Sequence, residues 1–152
     1  MENKLLEANA SIKVLKPAIE VFEAIVNPAQ MTNYFISKSS GRMEEGATVQ
    51  WGFPEFEGEF PVRIGKIVKD ELISFYWDHE GTEHLVEITL IPYNGNETVI
   101  KVIERGEANT EAGIKWAKGN TEGWANFLAC LKAWMEYGVH LRKGAFEFRF
   151  DQ

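Results

Sequence analysis

Three histidines, one cysteine, Tyr34 and an alternating run of glutamates are the residues of this sequence that could carry chemistry. His84 shares strand parity with Val86 and Ile88, which would turn it inward near one end of a sheet. An imidazole there could act as general acid or base, because its unperturbed pKa lies close to neutrality. With the turn "HEGT" (79–82) beside it and no partner identifiable, it reads instead as a rim histidine. His79 falls within that turn and reads as solvated. His140 follows a helix end, where a cation suits the negative end of the helix dipole. Cys130 lies at the edge of an apolar helical stripe with no adjacent base or cation to activate it, and reads as packing. Glu55, Glu57 and Glu59 alternate with Phe56 and Phe60 as the wet face of a strand or hairpin, a surface a protein partner could meet. Metal-ligand spacing is absent, with no His-x-x-x-His pair and no carboxylate triad on one strand. The glycines of "GRMEEG" (41–46) and "GFPEFEGEF" (52–60) form no phosphate loop. No catalytic residue, metal or cofactor is assigned.

The elements that would position these groups follow from periodicity. Residues 9–16, "NASIKVLK", read as a first strand with Ile12 and Val14 on one face. "PAIEVFEAIVNP" then places Ile19, Phe22 and Ile25 at helical spacing, starting at Pro17 and stopping at Asn27-Pro28. "PAQMTNYF" predicts a second short helix carrying Met31, Tyr34 and Phe35. From about residue 36 to 105 the period becomes two. Val49, Trp51 and Phe53, then Phe60, Val62 and Ile64, then Ile73, Phe75 and Trp77, then Val86, Ile88 and Leu90 form successive dry faces. Turn signals at 44–46, 69–71, 79–82 and 94–96 separate the strands. The strand over 97–106 has apolar residues on both parities, so its facing stays open. The helical period returns late. Trp124, Phe127, Leu128, Leu131, Trp134 and Met135 fall on one stripe of a helix over about 110–138, with Gly138 suited to its left-handed cap and a break expected near Gly119 and Gly123. The dry side of a six- or seven-stranded antiparallel sheet must be covered, and this helix has the length and stripe to cover it.

Composition narrows the class further. A chain of 152 residues with no linker-like tract fits one domain over 1–152, able to bury a sizeable core. Its net charge of −7 and lack of a Lys/Arg cluster exclude a nucleic-acid footprint and disfavour an anionic membrane surface. One cysteine excludes an internal disulfide. No apolar run approaches the roughly 20 residues of a membrane span, and the N-terminus lacks a signal-peptide core, so a cytoplasmic setting is expected.

The stretches "PAIEVFEAIVNPAQMTNYF", "GEFPVRIGKIVKDELISFYW" and "EGWANFLACLKAWME" together resemble the bacterial relatives of the heat-shock-protein-90 ATPase activator's C-terminal domain. These belong to the START and birch-pollen-allergen-like (SRPBCC) superfamily. The resemblance spans about 9–138. It implies an α+β helix-grip fold, a curved antiparallel sheet wrapped around a long C-terminal helix with an elongated apolar cavity between them. Residues 139–152 form a tail in which Phe146, Phe148 and Phe150 alternate with Glu147 and Arg149, as a strand or edge-pairing arm would.

On that fold, Tyr34, Trp51, Phe53, Phe75, Trp77, Trp124, Phe127, Leu128, Leu131 and Trp134 are the expected ligand-binding wall, with mutual core packing as the alternative. The inward parities are almost purely apolar, with Tyr34, Asn120 and His84 the only polar candidates, so the reading leans away from an enzyme. A small hydrophobic, amphipathic or lipid ligand held between sheet and helix is the first expectation. A co-chaperone-like stress-response module meeting a protein partner is the second, and a cyclase-like enzyme the third. A monomer or weak dimer is expected.

Overall fold

The computed structural model describes residues 4–150; residues 1–3 and 151–152, the ends of the expected domain and tail, lie outside the described residues. The elements run β1 (Leu6–Val14), α1 (Ala18–Val26), α2 (Pro28–Met31), β2 (Lys38–Ser39), β3 (Thr48–Phe53), β4 (Phe56–Val68), β5 (Leu72–His79), β6 (Thr82–Tyr93), β7 (Glu97–Glu107) and α3 (Glu111–Tyr137). A 3-10 turn at Glu147–Phe150 follows. The seven strands form one antiparallel sheet in the order β1-β7-β6-β5-β4-β3-β2. This is the helix-grip arrangement, with the sheet curved around α3.

Short turns set the strand register, one of two residues (Glu80-Gly81) and one of three (Asn94-Gly95-Asn96). Glu80-Gly81 (φ 48° and 87°) and Asn94-Gly95 (φ 44° and 81°) both occupy the left-handed region. That conformation matches the right-handed twist of the hairpins they close, His79↔Thr82 and Tyr93↔Glu97. Once register is fixed, a period of two decides which side chains are buried. Val62, Ile64, Ile73, Phe75, Val86, Ile88, Ile100 and Val102 line the concave face and are at most 1% exposed. The facing of β7, ambiguous in the sequence, resolves in favour of Thr98, Ile100, Val102 and Glu104, all buried. A carboxylate thus continues an apolar parity into the core.

The long helix is unbroken over its 27 residues, contrary to the break expected near Gly119 and Gly123. Each glycine costs an exposed helix interior about 1 kcal/mol. The burial of Trp116, Trp124, Phe127, Leu128 and Leu131 on the sheet outweighs this. Thr110 caps the start, its hydroxyl accepting the Gly113 N–H at 3.0 Å, and Gly138 ends the helix at φ 65°.

Two hairpins of the sheet part company at one end. β3 and β4 stay paired out to Phe53↔Phe56 and β5 and β6 out to His79↔Thr82, while pairing between β4 and β5 begins only at Arg63↔Tyr76. Pro61, which has no N–H to donate, stands at the fork. The tail fills this divergence. It forms turns and the 3-10 turn, not the strand or pairing arm its alternating phenylalanines suggest, because Phe146 and Phe150 turn onto the protein's own aromatic residues.

Candidate functional site

Where the hairpins diverge, α3, the β3–β4 turn and the tail surround a partly open cavity of about 190 Å³. Its inner wall is Trp77 of β5 against Trp124 of α3, stacked with ring centroids 5.7 Å apart and planes 29° from parallel. Phe35 and Phe53 form one side, in edge-to-face contact at 5.2 Å. On α3, Gly123 presents no side chain to this space, while Asn120 and Asn126 present amides. Phe146, Arg149 and Phe150 of the tail partly cover the outside.

An ion pair fastens that cover. Glu55 sits in the two-residue turn between β3 and β4, and its side chain is 2% exposed because the Arg142 guanidinium meets it through both carboxylate oxygens. Arg142 also lies over the rings of Phe35, Phe53 and Phe146. Glu55 is therefore not part of a wet acidic face. Glu57 and Glu59 remain exposed, Glu59 beside Lys38 at 3.1 Å. Farther out, Arg149 pairs with Glu122 of α3. Beyond Arg142 a second hollow, of about 390 Å³, runs between Tyr34, Pro54 and the tail residues His140, Lys143 and Glu147.

Behind the two tryptophans lies a buried polar network centred on Glu104. Its Oε1 accepts Trp124 Nε1–H at 2.8 Å and Asn120 Nδ2–H at 2.9 Å. Its Oε2 accepts Trp77 Nε1–H at 2.9 Å and faces His84 Nδ1 at 2.8 Å. The other ring nitrogen of His84 is 2.5 Å from Glu107 Oε2. Each of these two nitrogen–oxygen contacts needs one proton between its partners. His84 is fully buried, in contrast to the rim position expected from its turn, because β7 supplies Glu104 from its inward parity and Glu107 from beyond the register shift near the end of its pairing with β1. Trp116 packs edge-to-face on its ring at 4.7 Å, its own Nε1–H without a partner among the described residues. The two carboxylates approach opposite ring nitrogens and do not converge on one point, and no cluster able to hold a metal ion occurs among the described residues.

The expected wall is thus divided. Phe53, Trp77 and Trp124 reach the cavity. Trp51, Phe75, Phe127, Leu128 and Leu131 are at most 1% exposed and fill the core beneath it. Tyr34 is equally buried, its hydroxyl donating to the Ala24 carbonyl at 2.8 Å, and burial pushes its pKa well up. Trp134 lies at the other end of α3, donating to Gln30 Oε1 at 3.2 Å. Cys130 is buried, and burial raises its thiol pKa, as suits a packing residue. Sequence reasoning missed Glu104, Glu107 and Arg142, and it put Glu55 on a wet face. Only Glu104 left a signal, its place on an otherwise apolar parity of β7.

Residues 16–136 match the model of the family described as Activator of Hsp90 ATPase homolog 1-like protein. The chain belongs to this family. The match takes in α1 through almost all of α3 and leaves out the tail that partly covers the cavity. No curated protein matches the chain. Among solved structures, a Staphylococcus saprophyticus protein is similar with a TM-score of 0.78 at 28% identity, over 88% of this chain and 94% of that one. The Aha1 dimer from Colwellia psychrerythraea gives a TM-score of 0.72 at 18% identity, over 88% of this chain and 98% of that one. DynU16, from the dynemicin biosynthetic locus, gives 0.76 at 22% identity over 87% of this chain but only 48% of its own length. The last two likenesses establish the fold alone. No helix of this Activator of Hsp90 ATPase homolog 1-like chain is long and apolar enough to cross a membrane, among the described residues.

Proposed function

We propose that this protein binds a small amphipathic, ring-containing molecule in the cavity between α3, the β3–β4 turn and the tail. The observation that carries the reading is the partly open aromatic hollow itself, walled by Trp77, Trp124, Phe35 and Phe53 and provided with two amides from α3. Ligand sites are mostly apolar hollows with a few placed polar groups, and this one has that character. Its volume of about 190 Å³ narrows the ligand class. An apolar cavity of about 150 Å³ admits benzene, so a single substituted ring fits here, whereas a lipid chain would need the tail displaced. Binding without catalysis is favoured because the His84 trio lies behind the tryptophans, and the charged groups at the cavity edge are already paired.

Phe146 and Phe150 of the tail narrow the opening, and the Glu55–Arg142 pair holds the tail in place. A second reading, a module that meets a protein partner, is supported by the family match and by Phe56 and Phe60, 38% and 40% exposed on the diverging hairpin. The two readings separate in one experiment. Isothermal titration with monocyclic aromatic alcohols, acids and amines up to millimolar concentration should give saturable binding that a Trp124→Ala variant loses. Small ligands gain at most about 1.5 kcal/mol per non-hydrogen atom, so micromolar to millimolar affinity is the expected range. Absence of saturable binding across that panel would reject the ligand reading and leave the partner one.

A further inference from the structure

Asn120 is the cavity residue whose orientation the rest of the protein dictates. Its Nδ2 donates to Glu104 Oε1 at 2.9 Å, while the same oxygen also accepts Trp124 Nε1–H at 2.8 Å. An indole nitrogen only donates, so Oε1 acts as an acceptor, and the amide nitrogen of Asn120 must face it. Turning the amide over would set two oxygens against each other. Glu104 is itself held on its second oxygen by Trp77 at 2.9 Å and His84 at 2.8 Å, so it cannot rotate to suit a flipped amide. The carbonyl Oδ1 of Asn120 makes no hydrogen bond within the described residues, although Asn120 lines the cavity. The nearest wall groups offer no donor in exchange, because the N–H groups of Trp77 and Trp124 are both committed to Glu104.

We infer that Asn120 is a specificity residue that accepts a hydrogen bond from a hydroxyl or N–H group on the ring-sized ligand, and that Glu104 is the positioning residue that enforces this polarity. The inference rests on the ligand-binding reading and deepens it by naming the ligand class: aromatic or alicyclic rings bearing a donor, as in phenols and anilines, over plain hydrocarbons of the same size. A phenol ring against Trp77 and Trp124 would direct its hydroxyl to the one acceptor on that wall whose orientation is locked.

The test is a cycle of two probes and two proteins. Phenol and toluene have nearly the same shape, and only phenol donates. Titrating both against the wild type and Asn120→Leu, by calorimetry or indole fluorescence, removes the difference in their hydration from the comparison. A neutral hydrogen bond contributes about 0.5–1.5 kcal/mol, or up to roughly 10-fold in affinity. Phenol should weaken by about 3- to 10-fold more than toluene on substitution, and retained toluene binding shows that the cavity is intact. Glu104→Gln, which frees the amide to turn, should erode the same selectivity while toluene affinity holds; a selectivity unchanged in a folded Glu104→Gln would overturn the positioning role. If that variant does not fold, Asn120→Leu, on the partly exposed face of α3, carries the test alone. Equal loss for both probes, or no loss for either, overturns the inference and leaves the ligand reading standing. Failure of both probes to bind the wild type overturns the inference together with that reading.

Discussion

Trp124 donates its indole N–H to Glu104 at 2.8 Å, and both residues are at most 4% exposed. The bond runs from the middle of α3 to the concave face of β7. It fixes how the helix sits along the sheet, since apolar packing alone resists sliding only weakly while a buried acceptor admits few donor positions. The cavity exists where it does because the two tryptophans are held back against Glu104 and away from the opening.

Glu104→Ala should therefore be among the most damaging single substitutions. It leaves two indole N–H groups and one amide N–H without an acceptor and the His84–Glu107 pair without its other carboxylate. Removing one member of a buried ionic network costs about 3–5 kcal/mol. Urea unfolding should show a loss of that size; a loss under about 1 kcal/mol would mean that water replaces the carboxylate.

Two glycines predict opposite outcomes for the same substitution. A Cβ at Gly106 would stand 2.2 Å from Cδ2 of His84, a ring held on both nitrogens and unable to retreat. Gly106→Ala should cost about 1–3 kcal/mol through overpacking. A Cβ at Gly119 meets nothing within 4 Å, so Gly119→Ala should stabilise α3 by about 1 kcal/mol. Thermal unfolding of the pair checks both signs.

Arg142→Ala should free the tail and leave the sheet intact. With its guanidinium gone, the Glu55 carboxylate would be buried alone. It escapes that cost by rehydrating as the tail lifts away. Amide exchange and proteolysis over 139–150 should rise sharply, while the strands keep their protection. Unchanged exchange in the tail would show that Phe146 and Phe150 suffice to hold it.

Acid should weaken the fold through particular carboxylates. Burial alone would raise the Glu136 pKa, but the Lys132 ammonium at 2.5 Å, the Leu15 N–H at 3.0 Å and nearby Lys16 outweigh it and hold the carboxyl below its usual range. At Glu23, the hydrogen bond from Arg42 at 2.7 Å is the leading cause of a lowered value. A depressed folded pKa contributes stability above the unfolded value, about 4.3, and that contribution is lost as pH falls through the folded one. Stability should drop as pH falls below about 4, and the drop should be smaller in Glu136→Gln. An identical acid profile in that variant would remove Glu136 from the account.

Much of the fold was legible in the sequence, and the site was legible only in part. Period-two alternation marked Val62, Ile64, Ile73, Phe75, Val86 and Ile88 as inward, and they are. The stripe from Trp124 to Leu131 marked the buried face of α3, which is buried. The outer half of the cavity wall escaped because it comes from Arg142, Phe146, Arg149 and Phe150, distant in sequence from the turn they cover, and Glu55 belongs to a run that looks solvated. His84 looked like a turn residue because its partners, Glu104 and Glu107, lie on another strand at 20 and 23 residues' distance. Pattern reports which face a residue occupies. It does not report which charges will meet there.

The five tryptophans give the most direct measurement of the central claim. In a two-dimensional nitrogen–proton spectrum the indole N–H signals of Trp77 and Trp124 report the cavity, while those of Trp51, Trp116 and Trp134 report the core and the two ends of α3. Titration with phenol should shift the Trp77 and Trp124 signals saturably and leave the other three nearly still. Shifts spread evenly over all five, or none at millimolar phenol, would contradict a ring-binding cavity at this end of the sheet.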